Sequence, residues 1–370
     1  MDYRKLPHGN EMISTIGIGL GSIHTASIEE IEATVSYAID HGINFFDVVA
    51  SRFFVYEPFG RAIKGRRDQI YTQMHFGAVY NEKGEYGMNH DLHQVKHDFN
   101  RMLEITGLGY TDFGYISCID NHDDVDKVMK DGLWDYVCEL KEKGIVRHLG
   151  VSTHTPSVAK RFLDTAMIDL FMFSINPAYE INKGEMASGE FNEREELYRY
   201  AEKLGVGITV MKPFAGGQLL DERRSPLGIA LTPEQCIQYV LDRPAVICAL
   251  PGACSVEDVK SALHYYEASS QERDYSILGT VTPAQALGRC VYCNHCQPCP
   301  AGIDIAQANK FFDLAKLGDP IAVEHYKSLS VKADACIQCG HCEDACPFKV
   351  KQMRRIQEIH DYFTNVNPNN

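Results

Sequence analysis

The 370-residue sequence lacks the features that would direct it to a membrane or to a nucleic acid. Its first residues contain no apolar signal-peptide core, and no stretch reaches the roughly 18 uninterrupted apolar residues of a transmembrane helix. Basic residues are outnumbered, 36 against 50 acidic residues, and the net charge of −14 argues against the basic face that nucleic acid or an anionic membrane would need. The sequence has a single tryptophan and no low-complexity tract. These absences predict a cytoplasmic globular protein without a nucleic-acid or membrane partner.

Cysteine, in contrast, is abundant, with 13 residues in a chain whose expected compartment keeps thiols reduced. Eight of them form two motifs, each ending in Cys-Pro: Cys290, Cys293, Cys296 and Cys299, and then Cys336, Cys339, Cys342 and Cys346. Two-residue gaps aim three thiolates at one [4Fe–4S] cluster, whereas the cysteine before the proline ligates the other cluster. The spacing therefore predicts two [4Fe–4S] clusters, with Cys346 completing the first and Cys299 the second. Zinc sites are the alternative, but zinc usually takes its ligands in separated pairs.

The region from about residue 14 to residue 265 alternates short β-branched runs with longer amphipathic segments. The candidate strands are 13–20, 44–49, 69–75, 113–119, 146–152, 170–175, 207–211 and 245–250. Candidate helices cover 27–40, 91–105, 125–143, 193–204 and 232–241. Eight strands in about 250 residues favour a closed parallel (β/α)8 TIM barrel over a doubly wound open sheet. The change to cysteine-rich sequence predicts a barrel domain over 1–275 and a small ferredoxin-like helical and loop domain over 276–370.

Several barrel segments resemble the aldo-keto reductase family. They are residues 3–6, 16–21, 42–47, 65–68, 149–152, 211–217 and 250–252, in the family's order along the chain. Together with the cysteine motifs, they make the chain similar to the iron–sulfur branch of that family, which carries a C-terminal ferredoxin-like domain. The resemblance implies hydride transfer from NADPH to a carbonyl group, with a tyrosine as proton donor, a lysine and an aspartate that tune it, and a histidine that orients the carbonyl.

The catalytic positions carried over from the family are mostly changed. Asp47 keeps the aspartate, whereas Arg52 stands at the tyrosine position and His75 at the lysine position. The histidine position holds Ser117 on an ungapped count, or Asp120 or His122 if the fourth strand runs longer. Ordinary carbonyl reduction by this set would need a different proton donor.

Candidate catalytic residues are therefore assigned by type and position at the carboxyl ends of the strands. Asp47 beside His75 makes an acid–base pair, because a carboxylate raises the pKa of a histidine and fixes its tautomer. Arg52 would hold an anionic substrate group or a developing oxyanion. Asp120 and His122 would orient the substrate or supply a second acid–base group. With His24, His154, Asn176 and Lys212, these side chains are expected to line one polar pocket.

The nucleotide-binding positions are partly matched. Those that resemble the family's nicotinamide, phosphate and last-strand positions are Ser152, Thr153, Lys212, Gly216, Gly217 and Gly252. Residues 252–258 offer no lysine or arginine for a 2′-phosphate, so NADH is as compatible as NADPH.

The predicted function is an iron–sulfur oxidoreductase acting on a small polar or anionic organic substrate at the barrel mouth. Two clusters would relay electrons from an external one-electron carrier such as a ferredoxin or flavodoxin. Because a cluster moves one electron and a nicotinamide delivers two, a flavin or a radical-tolerant substrate would have to join them. Three alternatives stay open: a metal-dependent lyase or hydrolase built on the mouth histidines and aspartates, an NAD(P)H-dependent carbonyl reductase with an altered proton donor, and an electron-transfer or scaffold subunit.

Overall fold

Eight parallel strands form the centre of the molecule in a computed structural model, which describes residues 1–181, 188–189, 191–281, 287–288, 290, 292–316 and 320–365. The strands in chain order are β1 (Tyr3–Lys5), β2 (Met12–Ser14), β3 (Ile18–Gly19), β4 (Phe45–Asp47), β5 (Tyr71–Phe76), β6 (Ala78–Tyr80), β7 (Tyr86–Met88), β8 (Thr111–Ile116), β9 (Val146–Thr153), β10 (Leu170–Ser174), β11 (Gly207–Met211) and β12 (Val246–Leu250). The parallel sheet has the order β12-β11-β10-β9-β8-β5-β4-β3. Two short antiparallel pairs, β1–β2 and β6–β7, stand outside it.

The two edges of this sheet meet. Ile16 bridges to Ala249 and Gly19 bridges to Gly252, both in parallel register, so the segment around β3 pairs with β12. The result is the eight-stranded barrel expected from the sequence, and all eight predicted strands are confirmed. The first one is shorter than predicted, because its beginning pairs with β1 and closes the amino-terminal end of the barrel instead.

Helices surround the barrel and continue into the carboxyl-terminal domain. They are α1 (Ile28–Asp40), α2 (Tyr56–Ala62), α3 (Leu92–Thr106), α4 (His122–Lys130), α5 (Leu133–Glu142), α6 (Pro156–Leu163), α7 (Pro177–Glu180), α8 (Phe191–Leu204), α9 (Pro233–Leu241), α10 (Val256–Leu263), α11 (Ile305–Lys316), α12 (Pro320–Ser328), α13 (His341–Asp344) and α14 (Gln352–Asn365). The single helix predicted over 125–143 is wrong: it is two helices, since Gly132 adopts a left-handed conformation (φ +83°) and ends the helical path between α4 and α5.

Two apolar layers stabilise the barrel. One fills its interior with residues such as Phe45, Phe113 and Met172, and the other lies between strands and helices. Interior glycines make room for large neighbours: a Cβ on Gly150 would lie 2.4 Å from the ring of Tyr115. This alternation of small and large side chains closes the barrel floor and leaves the carboxyl ends of the strands to carry polar groups.

The carboxyl-terminal domain packs against the outside of the barrel. Tyr275, Leu278 and Phe348 belong to the same apolar layer as the barrel helices, and Lys310 of α11 forms an ion pair with Glu202 of α8. A second apolar core, including Phe312, Ile356 and Ile359, lies within the domain. The proposed division at residue 275 therefore falls in a segment packed on the barrel and stays a prediction. No described helix has the length and apolar character needed to cross a membrane.

Candidate active site and cysteine cavities

Three side chains from neighbouring strands form a hydrogen-bonded group at the mouth of the barrel. Asp47 ends β4, His75 lies near the end of β5, and Ser117 directly follows β8. His75 Nε2 is 2.7 Å from Asp47 Oδ1, and His75 Nδ1 is 2.7 Å from Ser117 Oγ. Because a carboxylate only accepts, Nε2–H donates to Asp47, and Nδ1 of the neutral ring accepts from the Ser117 hydroxyl. The imidazole is 4% exposed, so its orientation is fixed by these two bonds.

A buried amide supports this group from inside the barrel. Gln73 Nε2 donates to Asp47 Oδ1 at 3.0 Å, and the hydroxyl of Thr209 donates to Gln73 Oε1 at 3.2 Å. On the other side, His90 Nε2 is 2.7 Å from the carbonyl oxygen of Ser117. Residues 73 and 75 share the inward face of β5 because side chains alternate along a strand. This alternation is the feature from which the position of Gln73 beside His75 could have been predicted.

A second polar group lies on the strands across the mouth. Asp120 Oδ2 is 3.0 Å from His154 Nδ1, and its Oδ1 accepts from the backbone N–H of His154 and the hydroxyl of Thr153. Lys212 Nζ donates to His154 Nε2 at 3.1 Å. The Lys212 carbonyl accepts from the side chain of Asn176 at 2.9 Å. Burial lowers the pKa of Lys212, against the opposing effects of Cys118 and Asp120, so the amine is easier to deprotonate than an exposed lysine.

Cys118 lies between the two polar groups. Burial raises the pKa of its thiol; the carboxylates of Asp120 and Asp47 add to the rise, and Lys212 opposes it. Its backbone N–H donates to Ser152 Oγ at 2.8 Å, and its φ of +50° is left-handed. The thiol of Cys118 is therefore within electrostatic range of both polar groups.

Two of the predicted catalytic residues are placed elsewhere. Arg52 pairs with Glu85 at 2.8 Å, with both side chains more than two-fifths exposed, because its backbone bridges to the β6–β7 hairpin. His122 begins α4 and lies 3.2 Å from Ser157 on the surface, since Asn121 caps that helix and turns the chain outward. The structure therefore does not join Arg52 or His122 to the Asp47–His75 group. Ser117, the residue on the ungapped count, is the one that bonds to His75.

The positions predicted to bind a nucleotide follow β9, β11 and β12 at the same end of the barrel. Ser152 and Thr153 end β9, and their hydroxyl oxygens bond to Cys118 N–H and Asp120, respectively. Gly216 and Gly217 are left-handed, and a Cβ on either would meet no atom within 4 Å, so backbone there is open to a ligand. Gly252 follows β12 and lies beside Ser22. The loop after β11, which contains Gly216 and Gly217, therefore has the backbone freedom that close approach to a phosphate requires.

The polar groups do not form a single-ion site. His75 is bound to Asp47 and His154 to Asp120, while His122 stands apart. Among the described residues, no set of three or more His, Cys, Asp or Glu side chains converges as the ligands of one metal ion would.

The eight motif cysteines line two separate cavities. The first contains Cys290, Cys293, Cys296 and Cys346, and the second contains Cys299, Cys336, Cys339 and Cys342. Each cavity thus combines three cysteines of one motif with the Cys-Pro cysteine of the other, as the spacing predicts. A cubane binds each of four cysteines at a different iron, and each cavity is lined by four cysteines, so the donor set fits that group.

The first cavity also supplies donors to sulfur. Gln352 Nε2 is 3.7 Å from Cys290 Sγ, and the backbone N–H of Val350 is 3.4 Å from Cys346 Sγ. Burial raises the pKa of Cys290 to about 11, and the positive charge of Arg355 opposes the rise. The second cavity is closer to solvent, because Cys339 is exposed and the Ile337 side chain is 65% exposed.

Comparison with known proteins agrees with this geometry. The family model "Aldo/keto reductase family" matches residues 15–233. The chain belongs to the aldo/keto reductase family. A second family model, "4Fe-4S binding domain", matches residues 329–352, which include the second cysteine motif. This aldo/keto reductase is therefore an oxidoreductase with a 4Fe–4S binding domain.

Individual relatives are distant. The chain is 23% identical over 282 residues to the uncharacterized oxidoreductase YqkF of Bacillus subtilis, covering 70% of this chain and 89% of that protein. Aldo-keto reductase AKR11C1 from Bacillus halodurans in its holo form is 21% identical, with a TM-score of 0.61, covering 76% of this chain and 97% of its own. An aldo/keto reductase from Brucella melitensis is 18% identical, with a TM-score of 0.52, 74% of this chain and 96% of its own being covered. These solved structures support the barrel fold.

Proposed function

We propose that this aldo/keto reductase reduces the carbonyl group of a small polar or anionic substrate to an alcohol, or catalyses the reverse reaction, with His75 as the acid–base group. The observation that carries the proposal is the clamped imidazole, which lies 2.7 Å from both Asp47 and Ser117 at the mouth of the barrel. A histidine is well suited to this role because its ordinary pKa of about 6.5 is close to neutral pH.

The proton chemistry follows from the hydrogen bonds. Reduction of a carbonyl to an alcohol takes up two electrons and two protons. The oxygen takes its proton from the imidazolium form of His75, directly from Nδ1–H or through the Ser117 hydroxyl bonded to Nδ1, and the neutral ring described above remains. The second proton, at the carbon, comes from solvent at the mouth when the clusters supply the electrons, or arrives with the hydride when a nicotinamide supplies them. Asp47 stabilises the imidazolium that forms when the ring is recharged. Lys212, held by His154, supplies the positive charge that favours an anionic substrate.

We also propose that the two cavities hold two [4Fe–4S] clusters, which would supply electrons one at a time from an external ferredoxin-like or flavodoxin-like carrier. The packing between the domains supports a connection to the mouth. Beside the first cavity, Tyr275 lies 5.2 Å from Tyr239, ring to ring, and Tyr239 donates to Glu180. Glu180 ends α7, the short helix that Asn176 caps, and Asn176 bonds to Lys212 at the mouth.

An anaerobic titration tests this function. The purified protein is reduced with dithionite, excess reductant is removed, and small keto acids, hydroxy aldehydes and their alcohols are added while the cluster absorbance is followed. We expect at least one carbonyl compound to reoxidise the clusters, and His75→Gln to slow this reoxidation. Clusters that reduce but are not reoxidised by any compound would contradict the relay. Iron and sulfide analysis should give about eight of each per chain.

A nicotinamide-dependent reductase with His75 as proton donor is the second candidate. It is favoured by the placement of Ser152, Lys212, Gly216 and Gly217 at one end of the barrel. Just after β12, Asp258 in the first turn of α10 accepts from the backbone N–H of Cys254, and Glu30 accepts from Val256 N–H. These carboxylates would repel a 2′-phosphate, so NADH is preferred over NADPH.

Direct binding decides this candidate. Fluorescence titration should show NADH binding that Lys212→Gln weakens about tenfold or more, whereas Lys127→Gln on the outer face of α4 leaves it unchanged. Cofactor released on denaturation should be a nicotinamide rather than a flavin. Absence of NADH binding to the wild type would exclude this candidate and leave the cluster-dependent reaction.

A further inference from the structure

The barrel contributes one arginine to the immediate surroundings of the first cysteine cavity. Arg199 of α8 donates from Nε to the hydroxyl of Tyr292 at 2.7 Å. Tyr292 lies within the loop between Cys290 and Cys293 and has a left-handed φ of +59°. The arginine side chain is 13% exposed, so the contact crosses the domain boundary in a mostly buried position. A barrel residue thus holds the loop that carries two of the first cavity's cysteines.

The same tyrosine connects Arg199 to a second guanidinium. Tyr292 donates to Asp313 Oδ2 at 2.7 Å, and Arg355 binds both carboxylate oxygens of Asp313 through Nη2. Arg355 Nε donates to Asn309. Further along, Asn309 donates to Gln352 at 3.1 Å. Gln352 is the residue that approaches Cys290 Sγ, so the network reaches the cavity from both sides.

The charges in this network nearly balance. Arg199 also lies 3.2 Å from Glu195 and 3.6 Å from Asp313, so two arginines face two carboxylates. Loss of Arg199 would remove one of the two positive charges that lie beside Asp313. One extra negative charge near the cavity would disfavour the electron that reduction adds to a cluster.

The second cavity has a different environment. Cys339 and Ile337 are exposed there, so water screens charges that lie near it. Hydrogen bonds to sulfur, nearby charge and solvent exposure are the properties that set the potential of an iron–sulfur cluster. The two sites therefore differ in solvent exposure, and in the first one two donors approach cysteine sulfurs.

We propose that Arg199 is a positioning residue by which the barrel sets the reduction potential of the cluster held by Cys290, Cys293, Cys296 and Cys346. Acting through Tyr292 and Asp313, it keeps that cluster easier to reduce than it would be without this positive charge. This inference rests on the clusters assigned in the proposed function. It adds that the barrel sets the reduction potential of the cluster in the first cavity and not that of the cluster in the second.

Potentiometric titration followed by electron paramagnetic resonance tests the inference on the full-length protein with its clusters. The variants are Arg199→Gln, Arg199→Lys and the control Lys310→Gln, which breaks another ion pair between α8 and α11 without touching the cysteine loop. We expect Arg199→Gln to make reduction of one cluster about tenfold less favourable, a shift of about 59 mV to more negative potential for a one-electron couple. The other cluster should keep its potential, and Lys310→Gln should move neither.

The lysine variant separates charge from folding. Arg199→Lys keeps the charge but not the fixed fork of donors, so it should restore most of the potential even if Arg199→Gln assembles poorly. Two unchanged potentials in Arg199→Gln with full iron content, or an equal shift in Lys310→Gln, would overturn the inference. So would an Arg199→Lys potential shifted as far as that of Arg199→Gln. A wild type with only about four irons per chain would instead contradict the two-cluster assignment, and the potential of the remaining signal would still decide the role of Arg199.

Discussion

At the scale of single residues, the site depends on which nitrogen of His75 carries the proton. Asp47 fixes Nε2–H, and this leaves Nδ1 to accept from Ser117. Gln73 holds Asp47 from below, so the carboxylate does not rotate away. Asp47, His75 and Ser117 act as one hydrogen-bonded unit, and a change in any of them should alter proton transfer more than substrate binding.

Replacement of His75 by glutamine should lower turnover by about 10²- to 10⁴-fold, the usual contribution of a general acid–base group. Ser117→Ala removes one hydrogen bond of about 1 kcal/mol and should cost about fivefold. The measurement is the rate at which the active carbonyl compound reoxidises the reduced protein. His264→Gln, on the outer helices beside Glu234, is the control and should leave the rate unchanged. Equal rates for wild type and His75→Gln would remove His75 from the mechanism.

Several residues of this site follow from the sequence, and the remainder depend on packing. Asp47 and His75 were expected together because the ends of neighbouring strands meet. Arg52 and His122 were expected beside them, but a hairpin partner, Glu85, and a helix cap, Asn121, place their side chains elsewhere. Competition from such local partners cannot be predicted from the spacing of residues along the sequence. Ser117 was reached by counting, yet its bond to His75 needed the position of β8 relative to β5.

At the scale of elements, the barrel is closed by pairing small residues with large ones. Gly17, Gly150 and Gly207 each lie where a Cβ would be closer than 3 Å to a neighbouring side chain. The strand positions were predictable because β-branched runs alternate with helices. The β6–β7 hairpin and the break at Gly132 were not, since neither interrupts the apolar pattern on which the prediction rests.

Gly150→Ala should therefore destabilise the protein by about 1–3 kcal/mol, because the new methyl group overlaps the ring of Tyr115. Gly19→Ala is the matched control in the same barrel: its Cβ would meet no atom nearer than 4.0 Å. Chemical denaturation of both variants measures the difference. Similar free energies of unfolding for the two variants would show that the interior relaxes around the added carbon.

The loop of the β1–β2 hairpin is tied to the barrel by a histidine between two carboxylates. His148 lies 3.1 Å from both Glu11 and Asp169, and although burial works against the charge, these two partners raise its pKa. Folding therefore favours the protonated ring. The stability that the charged His148 contributes to the folded protein is fully present below the ordinary histidine pKa of about 6.5. It is lost as pH rises through the higher pKa of His148 in the folded protein.

The melting temperatures of wild type and His148→Gln should consequently differ most near pH 5.5 to 6 and converge above the raised pKa. Thermal unfolding in a pH series measures this, with His93→Gln on the exposed face of α3 as the control. A difference that grows with pH would show that the neutral ring is the stabilising form.

At the scale of the whole molecule, the barrel and the cysteine-rich domain share one apolar layer but differ in the size of the core that each has of its own. The barrel has its own interior core, whereas the cysteine-rich part, predicted over 276–370, has 95 residues and a much smaller core of its own. Its cysteines line its cavities, so iron removal takes away groups around which the domain is packed.

Hydrogen exchange on protein freed of iron should show lost protection in residues 292–316 and 320–365 and retained protection in β4, β5, β8 and β9. The holo-protein is the reference, and mass spectrometry of peptides gives the comparison. Equal loss of protection in barrel and cysteine-rich peptides would mean that the two parts fold as one unit.

The order of the cysteines along the chain bears on how the clusters would be assembled. Cys296 and Cys346 line one cavity although 50 residues separate them, and the Cys299–Cys336 connection is nested inside that interval. Closing the outer connection costs chain entropy, but it brings the ends of the inner one together, so the second closure costs far less. With clusters bound as proposed, insertion of the first would prepare the site of the second. Half-loaded chains should then be scarce during biogenesis, and damage to either cluster should release both.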